Sequence, residues 1–170
     1  MLLDSVGLKT SDVTLINVNF NLTSSLLAGQ VDAVIGAFRN FELTQLALEG
    51  KEGFAFFPEE NGVPPYDELI YVTRAEQKDD PRLGRFLAAV EAATIFLTNH
   101  PQAALDMFLA AHPDLDNELN RRAWFDTLPR FAKRPAAADP GRYDRFGAFL
   151  KEEGLIDAVP AFDTYNFVPE

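Results

Sequence analysis

The apolar residues of this chain fall into two patterns. Short runs between turn-forming residues dominate the first part, and stripes at helical spacing dominate the second. The clearest unit is 28–50, AGQVDAVIGAFRNFELTQLALEG, which reads as turn, buried strand, polar loop and helix. Val31 to Ile35 is apolar apart from Asp32 and lies between Gly29 and Gly36, the pattern of a strand covered on both faces. Leu43, Leu46, Ala47 and Leu48 then carry a helical stripe. Upstream, residues 1–8 read as the last turns of an amphipathic helix closed by Gly7. Ser11-Asp12 is a turn, Val13 to Val18 a strand, and Leu22 to Ala28 a short helix with Asn21 or Thr23 as its N-cap. Downstream, Phe54 to Phe57 is a strand stopped by Pro58, 59–65 (EENGVPP) is a loop, and Asp67 to Thr73 is a fourth strand. Alternating strand and helix predict a parallel or mixed α/β sheet.

The second part is helical. Asp80 caps and Pro81 opens a helix reaching about Asn99, and His100-Pro101 opens another. Asn117 to Asp126 forms a third, carrying Leu119, Trp124 and Phe125; Arg142 to Glu153 forms a fourth, closed by Gly154. Residues 129–140 are proline-rich and irregular, and 155–170 read as ordered loop. The expected class is α/β, four strands and then four helices, with no internal repeat.

Charge and composition narrow the chemistry. The 170 residues carry a formal net charge of -11 and offer no basic stripe for nucleic acid or an anionic membrane. There is no cysteine, so disulfides, thiolate zinc sites and a cysteine nucleophile are excluded. No apolar run approaches the roughly 20 residues of a membrane span. Met1-Leu2-Leu3-Asp4 is not a signal peptide, and nothing precedes the first helical turns to nucleate them, so the chain is expected to begin inside a longer protein. The segment Asp114 to Glu118 lacks the central glycine and spaced ligands of a calcium loop and reads as a helix start. His100 and His112 lack acidic partners at metal-like spacing and are expected on the surface. Neither a metal nor a cofactor is called for.

The succession DVTLINVNFNLTSSLLAGQVDAVIGAFRNFELTQLALEG, then PPYDELIYVT, then a long helix and NHPQAALDMF resembles the NMT1/THI5-like family. These are periplasmic substrate-binding proteins of ABC importers, similar to the pyrimidine-precursor binders of thiamine metabolism. The resemblance implies a type II periplasmic-binding-protein-like α/β fold, two lobes with the ligand in the cleft between them. It places residues 1–70 in a partial second lobe. Residues 71–170 would be the hinge strand and the helices returning to the first lobe. That first lobe, and the opening strand of the second, would lie before Met1. The implied partners are a small flat heterocycle and an ABC permease, the implied location periplasmic, and the implied activity binding rather than catalysis. An incomplete lobe would also leave a sheet edge and several aromatic residues uncovered, so a homodimer is expected.

The candidate ligand contacts are Glu42, Asn40, Phe38, Phe41, Tyr66 and Asn19. The Glu42 carboxylate could pair with the amine and ring nitrogen of an aminopyrimidine, or simply occupy a first helical turn, where acid is favoured. Asn40 could bond a ligand or cap the following helix. Phe38, Phe41 and Tyr66 could stack on a flat ring or serve as core. Asn19, like Asn21, ends a strand on the same sheet edge, where turn chemistry is the alternative. The competing function is a pyridoxal-phosphate-dependent pyrimidine-precursor synthase, which a fungal branch of the family represents. That branch carries a cysteine-rich motif, absent here. A truncated chain without function of its own is the third reading.

Overall fold

A computed structural model of the protein describes residues 2–134 and 137–169. Met1, Pro135, Ala136 and Glu170 lie outside the described residues, and with them part of the amino-terminal helical reading, of the proline-rich stretch and of the tail. The helices are α1 (Leu22–Leu27), α2 (Glu42–Leu48), α3 (Pro81–Asn99), α4 (Pro101–Ala111), α5 (Glu118–Thr127) and α6 (Pro140–Glu152), joined by short 3-10 turns and irregular chain.

The helix starts follow local rules. Pro81, Pro101 and Pro140 each occupy a first helical position, where the missing N–H has no partner to lose. At α5 the Asn117 side chain accepts the Asn120 N–H at 2.9 Å. Past α6, Gly154 takes the left-handed conformation (φ 70°). Its N–H reaches the Lys151 carbonyl at 3.0 Å while the Leu155 N–H reaches that of Leu150 at 2.9 Å, which closes the helix. At α1, by contrast, Asn21 makes no capping bond, and Thr23 Oγ1 donates to Gln45 Oε1 of α2 at 2.6 Å.

Asp80 caps α3 through Oδ1, which accepts the Arg82 N–H at 2.8 Å. The Arg82 guanidinium holds the same carboxylate at 2.6 to 3.0 Å. These bonds, side chain first and backbone second, hold the Asp80 carboxyl at about 2, below its ordinary 3.8. A carboxyl lowered in this way stabilises the fold above its ordinary value, and that contribution is lost as pH falls through about 2. Backbone amide shifts of Arg82 and Leu83 should therefore titrate with a midpoint near 2 in the wild type and stay flat in Asp80→Asn. Indistinguishable titrations would remove Asp80 from the cap.

The expected α/β lobe differs from the observed structure. Among the described residues there is no strand, and Val13 to Val18, Val31 to Ile35, Phe54 to Phe57 and Asp67 to Thr73 are all irregular. The reason lies in the backbone. A strand exists only with a neighbour about 4.8 Å away to complete its ladder. Residues 14–17, 31–35 and 67–73 enter no backbone–backbone hydrogen bond among the described residues. None of their apolar side chains is buried: Val31 and Val34 are partly covered, and Ile35, expected to be covered on both faces, is 84% exposed.

The chain divides into two compact units, 1–7 with 56–95 and 132–170, and 8–55 with 96–131. In the second unit α2 packs on α1 and α5, and α4 packs on α5. This unit contains every buried apolar residue among those described: Leu46, Ala104, Leu105, Leu109 and Ala123. Trp124 Nε1 donates to the Pro101 carbonyl at 3.1 Å, and its ring lies 5.5 Å from Phe108. The first unit is held by half-buried aromatics. Tyr66 stacks on Phe146 at 4.7 Å, and Tyr143 meets Phe162 edge-on at 5.3 Å. Gly147 of α6 lets the tail approach, because a Cβ there would come within 2.7 Å of Val159 Cγ1.

Candidate functional site

Four of the six candidates form one corner of the second unit. The chain turns at 38–41 and enters α2. The Phe38 carbonyl accepts the N–H groups of Phe41 and Glu42, each at 3.0 Å. In return Glu42 Oε2 accepts the Phe38 N–H at 2.6 Å, so the carboxylate is fastened back over the turn. One such bond uses a fraction of what a carboxylate can accept, and a ligand amine can still reach it. Asn40 sits between them and points into the unit. Its Nδ2 donates to Thr127 Oγ1 at 2.6 Å, and that hydroxyl donates to the Ala123 carbonyl at 2.6 Å, tying the turn to α5. Asn40 is therefore a tether of the loop in this structure, not a cap of α2. Phe38 is exposed and Phe41 half-buried.

The other two candidates are placed elsewhere. Asn19 is exposed, has a positive φ of 52°, and receives an Asx-type bond: its N–H donates to Asn17 Oδ1 at 2.9 Å. Its neighbour Phe20 is fully exposed. Tyr66 belongs to the first unit and is partly exposed, one ring face covered by Phe146. Next to it Asp67 accepts a hydrogen bond from Arg142. Burial first, and the Asp67 charge second, push the Tyr143 phenol above its ordinary 10.0. The sequence gives Arg142, Tyr143 and Phe146 no place beside Tyr66, because the pairing spans 75 residues for Arg142 and Asp67 and has no local signal.

Other features of the described residues lie apart from this corner. A shallow cavity of about 300 Å³ in the first unit is lined by Thr73, Gln77, Asp80, Arg82, Leu83 and Phe86, none of them a candidate, and its arginine is already bound to Asp80. Asp116 and Glu118 are paired with Arg121 and Arg122, each at 2.6 Å. His100 and His112 are exposed, each ring near a phenylalanine. Lys9, Lys51, Lys78, Lys133 and Lys151 are all exposed, so these residues do not fit a pyridoxal phosphate Schiff base, which calls for a lysine set in a desolvating or cationic pocket.

The family described as NMT1/THI5 like matches residues 1–104, and the chain belongs to it. Among its relatives is a protein of Haemophilus influenzae named for thiamine biosynthesis, 50% identical over 165 residues, covering 96% of this chain and 52% of the relative. A formylaminopyrimidine-binding protein of Halalkalibacterium halodurans is 31% identical over 112 residues, covering 64% of this chain and 33% of the relative. A 4-amino-5-hydroxymethyl-2-methylpyrimidine phosphate synthase of Legionella pneumophila is 23% identical over 171 residues, covering 96% of this chain and 54% of the relative. The chain thus spans about half the length of two of these relatives and a third of the other. No solved structure matches it.

Proposed function

We propose that this chain serves in the solute-binding component of an ABC importer, periplasmic in location, that takes up a thiamine pyrimidine precursor of the hydroxymethyl- or formylaminopyrimidine type. The observation that carries this reading is the corner at 38–42. Glu42 Oε2 accepts the backbone N–H of Phe38, whose side chain is exposed, and Phe41 stands between them in the chain. An aminopyrimidine would stack on Phe38 or Phe41 and present its amine to the carboxylate, a charge-assisted contact. The relative named for formylaminopyrimidine binding supports the same ligand class. Handing the ligand to a membrane permease completes the role. The role requires no bond to be made or broken.

A synthase is the second reading, favoured by the relative of that name, which aligns over 96% of this chain. The two readings separate in one experiment. Titrating the chain calorimetrically with 4-amino-5-hydroxymethyl-2-methylpyrimidine should give saturable binding, and mass spectrometry should return the ligand unchanged. Incubation with pyridoxal phosphate should give no Schiff-base absorbance. A lysine-linked adduct, or a newly formed pyrimidine phosphate, would replace the importer reading with the synthase.

A further inference from the structure

The segment Glu68 to Arg74 combines three observations that the binding role leaves unused. Its backbone is open: no N–H or carbonyl of residues 67–73 enters a backbone–backbone hydrogen bond among the described residues. Its side chains are mostly open as well: Leu69 is 86% and Tyr71 60% exposed, and Asp67 and Thr73 are partly covered. Asp67 is bonded to Arg142, Tyr71 lies edge-on to Phe86 at 5.3 Å, and Thr73 lines the shallow cavity with Leu83 and Phe86. Glu68, Ile70, Val72 and Arg74 are exposed, Val72 to 83%. Finally, the two charges bounding this exposed set are opposite in sign, and neither takes part in an ion pair among the described residues.

We infer that this segment pairs antiparallel with the same segment of a second copy of the chain, across a two-fold axis at Tyr71. The register follows from charge. With Tyr71 opposite Tyr71, Glu68 stands opposite Arg74 and Ile70 opposite Val72, each pair occurring twice. Opposite charges and β-branched residues directly across a ladder are the favourable combinations, whereas moving the two-fold axis by one residue, a two-residue slip, would set Ile70 against Arg74 or Asp67 against Thr73. A two-fold contact of this kind is self-complementary and closed, so it ends at a dimer. The chain bends at Leu69, and pairing would straighten it there. The inference is independent of the pyrimidine reading, since neither Glu42 nor any aromatic of its corner takes part.

The test uses the absence of cysteine in this chain. Directly opposed strand positions lie about 4.5–5.5 Å apart between Cα atoms, within reach of a disulfide, and diagonal positions lie about 7–8 Å apart, too far for one. An oxidised equimolar mixture of Ile70→Cys and Val72→Cys chains should give the mixed disulfide-linked dimer, and either variant alone should not. Sedimentation at physiological ionic strength, where repulsion between two acidic chains is screened beyond about 8 Å, should show a dimer of the wild type. Arg74→Glu sets like charges opposite each other and should weaken that dimer on the order of tenfold or more; Glu68→Arg with Arg74→Glu should restore it. All four changes lie at exposed positions, so loss of fold does not mimic the result. A wild-type monomer, equal crosslinking by a single variant, or an Arg74→Glu dimer as tight as wild type would each overturn the inference. Any of these would leave the segment to a different polypeptide or another register.

Discussion

Replacing Leu105 with alanine should lower the stability of the protein by about 2–5 kcal/mol. Leu105 is 2% exposed and is the only large side chain buried to that degree among the described residues. It sits on α4 one residue after buried Ala104 and one turn before buried Leu109, on the face that packs towards α5 and its buried Ala123. Removing it deletes the transfer free energy of its methyl and methylene groups and leaves a void that short helices cannot close without unseating one another. Alanine is the best helix former, so the loss is one of packing and not of helix propensity. Against a typical stability of about 5–15 kcal/mol the change is large. Urea denaturation followed by far-ultraviolet circular dichroism measures it. Met107, on the same helix but 65% exposed, provides the control: Met107→Ala should stay within about 0.5 kcal/mol of wild type. Equal losses at the two positions would mean that α4 does not bury the face described.

Glu42→Gln should weaken binding of an aminopyrimidine by roughly tenfold to a hundredfold, the equivalent of about 1.5–3 kcal/mol for a hydrogen bond to a charged group. Glutamine keeps an oxygen that can accept the Phe38 N–H, so the turn at 38–42 persists while the negative charge goes. Calorimetric titration of both proteins with 4-amino-5-hydroxymethyl-2-methylpyrimidine reads the difference, and unchanged helix content confirms the turn. Equal affinities would exclude the carboxylate from the site and shift attention to Tyr66 and its Phe146 stack.

What could be read along the chain, and what could not, divides by range. Helix starts rest on one or two adjacent residues. Asp80 with Pro81, His100 with Pro101 and Asn117 all stand where reading them as signals puts them. Strands rest on a ladder partner that no local pattern supplies, and the apolar runs at 13–18, 31–35, 54–57 and 67–73 remain without strand structure. The core shows the same limit. In α3 the buried residue is Thr94, whose hydroxyl donates back to the Val90 carbonyl at 2.9 Å, while Ile95 and Phe96 beside it are exposed. In α5 it is Ala123, next to Trp124 and Phe125, that is buried. At the candidate site, the loop-to-helix corner and its acid were legible. The link from Asn40 to Thr127, 87 residues on, was not.

The uneven division of aromatic residues between the units has an optical consequence. The single tryptophan, Trp124, lies in the unit that contains the buried apolar core, and all four tyrosines, Tyr66, Tyr71, Tyr143 and Tyr165, lie in the other. Red-edge excitation, which selects indole, therefore watches one unit, and phenol absorbance watches the other, without any label. If the two signals melt together, the units share one cooperative transition; if phenol changes first, the loosely packed unit opens by itself, as a region with few buried contacts does at low free energy. The chain carries its own two-colour reporter of how far its halves depend on each other.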